Sequence, residues 1–242
     1  MDIPSLAPQC PWYKLSEMAK PNVKWCEASQ CSWITEPANT WSNLAFVFAG
    51  IVIWYLAKKK NQKSLALFGP VAIFVGACSF VYHMSYTMVL QTFDFIAMYA
   101  FIGILLLFNL RRLEKISKEK QTPFFIAIVL GCTTLFLIFW AINIPMQIIV
   151  AVLVIAFIVT EFMARKKLPT RPNSKYFIIA FLSLGVAITF TLLDVTRTWC
   201  DPNNHFLQGH AIWHLFNSLT IFFIYKYFEQ FSFDEEKIRI IQ

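Results

Sequence analysis

His83, His210 and His214 are three of the four histidines of this 242-residue chain, and each stands at the end of an apolar run. His210 and His214 lie four apart in Gly209-His210-Ala211-Ile212-Trp213-His214, so a helix presents both imidazoles on one face. Ser79 and His83 repeat that spacing in an earlier run, and Asp94 follows in the next. An ionisable side chain inside a membrane segment is costly and marks a functional site by default. Three imidazoles are a ligand set for catalytic Zn²⁺, with a fourth position kept for a water whose pKa falls to about 7. Asp94 could hold that water and take its proton as general base. Ser79 could donate to the oxygen that becomes an oxyanion when water attacks a carbonyl. Singly these residues have plainer readings. A lone interfacial histidine more often packs or meets headgroups, Ser79 can bond its own backbone, and Asp94 can pair with Arg197 or cap a helix. As a set they favour a site. His205 reads as an exposed loop residue, and Asp194 as a partner of Arg197.

The elements that must position this set are membrane helices. The chain is 57% hydrophobic and 14% charged, where a soluble domain carries roughly a quarter charged residues. The excess resolves into runs near the ~20 residues that cross a bilayer: 39–57, 64–84, 89–109, 123–141, 144–163, 175–194 and 208–228. The expected fold is all-α, an integral membrane bundle of seven transmembrane helices. An N-terminal cap segment, 1–38, precedes it and a short polar tail, 229–242, follows. The first 38 residues lack the basic and apolar regions of a cleavable signal peptide, so the first span is expected to act as its own insertion signal. Gly69-Pro70 predicts an irregular turn near the start of span 2, Pro37 a helix start, and Asn143-Ile144-Pro145 a tight turn between spans 4 and 5. Spans 4 and 5 are almost wholly apolar and read as scaffold facing lipid.

The net charge of +7 is not a nucleic-acid signal, because it is sorted by loop. Lys58, Lys59, Lys60 and Lys63 follow span 1; Arg111, Arg112, Lys115, Lys118 and Lys120 follow span 3; Arg165, Lys166, Lys167, Arg171 and Lys175 follow span 5. The alternate loops hold only Arg197. The positive-inside rule then puts the N-terminus outside and the C-terminus in the cytoplasm. Cys10, Cys26, Cys31 and Cys200 all fall on the outer side and read as two disulfides, with three pairings open. Under this topology His83, Asp94, Ser79, His210 and His214 reach a similar depth near the outer face from three helices. The basic loops set that topology independently of the histidines. A metal hydrolase placed there would act on a lipid within the bilayer. Protein partners are not legible.

These residues resemble the alkaline ceramidase family of seven-span intramembrane hydrolases, in the superfamily that includes the adiponectin receptors. The resemblance rests on Trp25-Cys26-Glu27, Glu36 followed by Asn39-Thr40 and Ser42-Asn43-Leu44, Ser79-x-x-x-His83, Asp94, and Gly209-His210-Ala211-x-Trp213-His214. It implies zinc on His83, His210 and His214, assistance from Asp94 and Ser79, and hydrolysis of the amide of ceramide to a sphingoid base and a fatty acid. It also implies a Cys26–Cys200 disulfide, which leaves Cys10 with Cys31.

The family's N-terminal calcium site is only partly matched. Lys24 stands where an Asp is expected and Ser29 where an Asn is expected, and the interval from Glu27 to Glu36 is shorter. The Trp25 carbonyl, Glu27 and Glu36 remain as oxygen donors, against the six to eight usual for Ca²⁺. A Lys24 ammonium paired with Glu27 could replace the ion. Two other functions compete with a ceramidase: a receptor or scaffold that keeps structural zinc, with a closed four-ligand site, and a hydrolase of another lipid amide or ester.

Overall fold

The computed structural model describes residues 6–168, 170–235 and 238–241. Pro4 of the predicted cap, and Glu236 and Lys237 of the predicted tail, lie outside them. The helices are α1 Tyr13–Met18, α2 Pro37–Ser42, α3 Leu44–Lys59, α4 Lys63–Ala66, α5 Phe68–Ser85, α6 Met88–Arg112, α7 Gln121–Ala141, α8 Gln147–Lys167, α9 Lys175–Val195 and α10 Gly209–Phe228. A 3₁₀ turn, Lys118–Lys120, leads into α7.

Among the described residues six helical segments are long and apolar enough to cross a membrane: Pro37–Lys59, Lys63–Ser85, Met88–Arg112, Lys118–Ala141, Gln147–Lys167 and Lys175–Val195. The seventh predicted segment forms α10, which matches them in length at 20 residues. Its two histidines, Asn217 and Ser218 lower its hydropathy. The protein is thus an all-α bundle with six to seven candidate spans, as in a multi-pass membrane protein.

Helix α6 is the axis: 72% of its apolar window is buried in the bundle, against 6% for α7. The uncovered face of α7, with Leu130, Leu137 and Ile138 exposed, is where lipid would lie. Close approach between α3 and α5 depends on glycine. A Cβ on Gly50 would stand 2.6 Å from the Gly69 carbonyl oxygen, and one on Gly69 2.5 Å from Cβ of Trp54. Small residues let membrane helices pack at this distance. Gly69 therefore serves packing, and Pro70 sits in the first turn of α5, where a missing N–H costs nothing. The irregularity predicted at Gly69-Pro70 falls instead at Leu67, between α4 and α5.

Tyr86 ends α5 in the left-handed conformation (φ 51°), and Thr87 is extended before α6. This two-residue reversal sets His83 and Asp94 on adjacent antiparallel helices. The opposite end of the bundle is also polar inside. Arg112 and Glu161, both with fully buried side chains, pair at 2.5 Å. Arg112 also donates to Asn109 Oδ1 (3.1 Å) and lies 4.1 Å over the Phe231 ring, and Tyr227 donates to Glu161. The tail is not a loose polar end. Phe231 and Phe233 are buried, Phe231 bridges Ile240, and Arg111 donates to the carbonyls of Phe233 (2.6 Å) and Glu235 (2.7 Å).

Candidate metal centre

His83, on the last turn of α5, meets His210 and His214, on the first turns of α10. One ring nitrogen from each lies within 4.8 Å of the others, and all three residues are buried. Nε2 of His83 and Nε2 of His210 are 3.2 Å apart. The edge of a tetrahedron with Zn–N bonds of about 2.0–2.1 Å is about 3.3–3.4 Å.

Each imidazole is held by its other nitrogen. Nδ1 of His83 is 2.7 Å from Oε2 of Glu36, Nδ1 of His214 is 2.8 Å from the Ser42 hydroxyl, and Nδ1 of His210 is 3.2 Å from that of Thr191. A carboxylate on Nδ1 fixes the tautomer that leaves Nε2 bare, the usual outer partner of a metal-bound histidine. Where Nε2 of the other two imidazoles is bare as well, the three lone pairs turned on one another suit a cation between them. The donor set fits a metal ion.

Asp94 is buried on α6, outside this nitrogen group, and its carboxyl faces the hydroxyl of Ser79, also buried, on α5. The structure therefore brings the three histidines together and sets Ser79 and Asp94 as a pair on the neighbouring helices.

Residues of the N-terminal segment cover this end of the bundle. The Trp25 indole stacks on His210, with centroids 3.5 Å apart and planes 18° apart, and its N–H donates to Tyr82 Oη at 3.2 Å. The backbone around it is tied down on several sides. Arg197 donates to the carbonyls of Trp25 (2.7 Å) and Cys26 (3.1 Å), Asp194 accepts from the N–H of Cys26 (2.8 Å) and of His210 (3.0 Å), and Tyr86 donates to the Val23 carbonyl (2.6 Å). The disulfides are Cys26–Cys200 and Cys10–Cys31. Asp194 and Arg197 act on one another through their charges, as expected, while their hydrogen bonds go to backbone.

The groups weighed for calcium have protein partners for most of their oxygens. Glu27 accepts from the N–H of Ala38 and of Asn39, both at 2.9 Å, and lies 3.0 Å from Nδ1 of His205. Burial raises the Glu27 carboxyl above its usual range, with those hydrogen bonds acting against the shift. His205 is therefore half-buried and paired rather than a free loop residue. The Trp25 carbonyl accepts from Arg197, and Glu36 meets His83 through Oε2 while its Oε1 is buried without a hydrogen-bond partner among the described residues.

Sequence reasoning missed Glu36, Ser42 and Thr191 as the partners of the histidines, and the Trp25 ring as their cover. Polar residues within or just before apolar runs pointed to them, and Trp25, Glu36 and Ser42 stood among the elements of the family resemblance without a role toward the histidines.

An all-α bundle with six to seven candidate spans and a buried three-histidine group at one end defines the class, a membrane-embedded protein equipped to hold a metal. The Ceramidase family model matches residues 18–239, and the chain belongs to that family. No curated protein matches it.

Proposed function

We propose that this protein is a zinc-dependent intramembrane amidase that hydrolyses the N-acyl amide of ceramide or a closely similar lipid. The observation that carries the reading is the convergence of three buried imidazoles, each held through Nδ1, with Ser79 one helical turn from His83 and paired with Asp94. Zinc, when bound by His83, His210 and His214, supplies a Lewis acid for the amide carbonyl and the attacking water. Asp94 takes a proton from that water as its oxygen bonds to the carbonyl carbon. Ser79 donates to the carbonyl oxygen as negative charge develops there. Asp94 then returns the proton to the amide nitrogen, the C–N bond breaks, and a fatty acid and an amine leave.

The sorted basic loops support an outward-facing site, with residues 1–38 as an outer cap, 39–228 as the membrane domain and 229–242 at the cytoplasmic side. The test is turnover of ceramides and other N-acyl lipids by purified protein in detergent, beside Asp94→Asn. Fatty-acid release by the parent, lost in the variant with zinc retained, is expected. No release from any amide by zinc-loaded parent would reject the reading.

A further inference from the structure

Tyr82 carries a hydrogen that its protein neighbours do not use. Its Oη lies 3.2 Å from Nε1 of Trp25 and 3.0 Å from Nε2 of Gln91. An indole N–H can only donate. The Gln91 amide is fixed as a donor on this side, because its Oε1 accepts the backbone N–H of Asn22 (3.1 Å), which also can only donate. Nε2 then faces Asn22 Oδ1 (2.6 Å) with one hydrogen and Tyr82 with the other. A phenol oxygen accepts two hydrogen bonds and donates one. Both acceptor positions of Tyr82 are filled, and its own hydrogen is left for a third group. Among the described residues its hydroxyl donates no hydrogen bond, only accepting those of Trp25 and Gln91, and Tyr82 is 1% exposed, so bulk water does not take the hydrogen.

The place of this hydrogen gives it a use. Tyr82 precedes His83 and is three residues on from Ser79, on the same side of α5. Gln91 and Asp94, three apart on α6, face Tyr82 and Ser79 respectively. The indole bonded to the hydroxyl is itself stacked on His210. The hydrogen therefore lies one helical turn from the Ser79–Asp94 pair, beneath the Trp25 cover. In the proposed reaction the carbonyl oxygen of the amide is served by the metal and Ser79, and the amide N–H is itself a donor. The acceptor left for Tyr82 is an oxygen on the carbons next to the amide nitrogen.

We propose that the Tyr82 hydroxyl is a specificity-determining donor that binds such an oxygen and selects N-acyl amino alcohols over N-acyl alkylamines. The inference rests on the amidase reading and adds the substrate feature that the site reads.

The experiment compares kcat/KM for an N-acyl amino alcohol and for the N-acyl alkylamine of equal chain lengths, in parent, Tyr82→Phe and Gln91→Glu, with zinc content measured on all three. A site built to bond a hydroxyl discriminates strongly against the analogue lacking it, so the parent should favour the amino alcohol roughly ten-fold or more. Tyr82→Phe should bring the ratio near one. Gln91→Glu keeps the tyrosine but places a carboxylate where its hydrogen is taken, and should lower the ratio as well. If Tyr82→Phe does not fold, Gln91→Glu decides. A parent ratio near one, or a parent-like ratio in the variants, overturns this inference alone. Turnover of neither amide by the parent overturns the amidase reading and this inference with it.

Discussion

The two ends of the bundle bury polar clusters in opposite ways. At the Arg112 end the charges answer one another: Arg112 with Glu161, Tyr227 on Glu161, and Asn109 on Arg112. At the His83 end the protein fixes the far nitrogen of every imidazole and turns the near nitrogens together. One cluster pairs opposite charges within the protein, with Nε and Nη2 of Arg112 left without a hydrogen-bond partner among the described residues, and joins α6, α8 and α10 with the tail. The other is a group that could hold a metal ion. Burial and polarity are common to both, so neither property marks a site by itself. What distinguishes them is that one pairs an arginine with a carboxylate and the other gathers three ring nitrogens.

The largest expected effect that would break this contrast is at His83. His83→Ala should lose bound zinc and hydrolytic turnover together, and full zinc occupancy in the purified variant would remove His83 from the ligand set. Next, Arg112→Met leaves Glu161 buried without its partner and should cost about 3–5 kcal/mol of stability, while Arg112→Met with Glu161→Leu should recover most of it. Thermal unfolding in detergent measures both, and zinc content should not change in either. Loss of metal on this substitution would show that the two ends are not separable.

A smaller effect is expected at Glu36. Glu36→Gln keeps the shape but removes the charge from Nδ1 of His83, and should weaken zinc binding about 10- to 100-fold in chelator competition. An unchanged affinity would reduce the Glu36–His83 contact to packing. The smallest is at the cover. Trp25→Ala should speed the removal of zinc by a chelator and leave its equilibrium occupancy less affected, and an unchanged stripping rate would show that the indole does not shield the centre.

The gathering of the three histidines was legible in the sequence because histidine is rare here and its depth follows from helix length and the sorting of basic loops. Asp94 stood out as a carboxylate within a span, and Ser79 through its four-residue spacing to His83. The groups on the far ring nitrogens were not legible. Glu36 lies 47 positions from His83 and Ser42 172 from His214, and hydropathy does not fix the rotation of one helix against another. A hydroxyl in an apolar run looks the same whether it bonds its own helix, as Thr133 does to the Val129 carbonyl at 2.7 Å, or a histidine on another, as Thr191 does. The tail failed to stand out because its two buried phenylalanines alternate with polar residues and make no span. Arg111 and Arg112 counted as loop charge, yet both are buried, because the tail folds back over them.

The account depends most on the His83 end holding a metal in an open site. Zinc-edge X-ray absorption on the purified protein tests this directly. Three nitrogen ligands at roughly 2.0–2.1 Å and one oxygen are predicted, the signature of three histidines with a position left for water. Protein without zinc, or zinc closed by four protein ligands with no exchangeable oxygen, would contradict it.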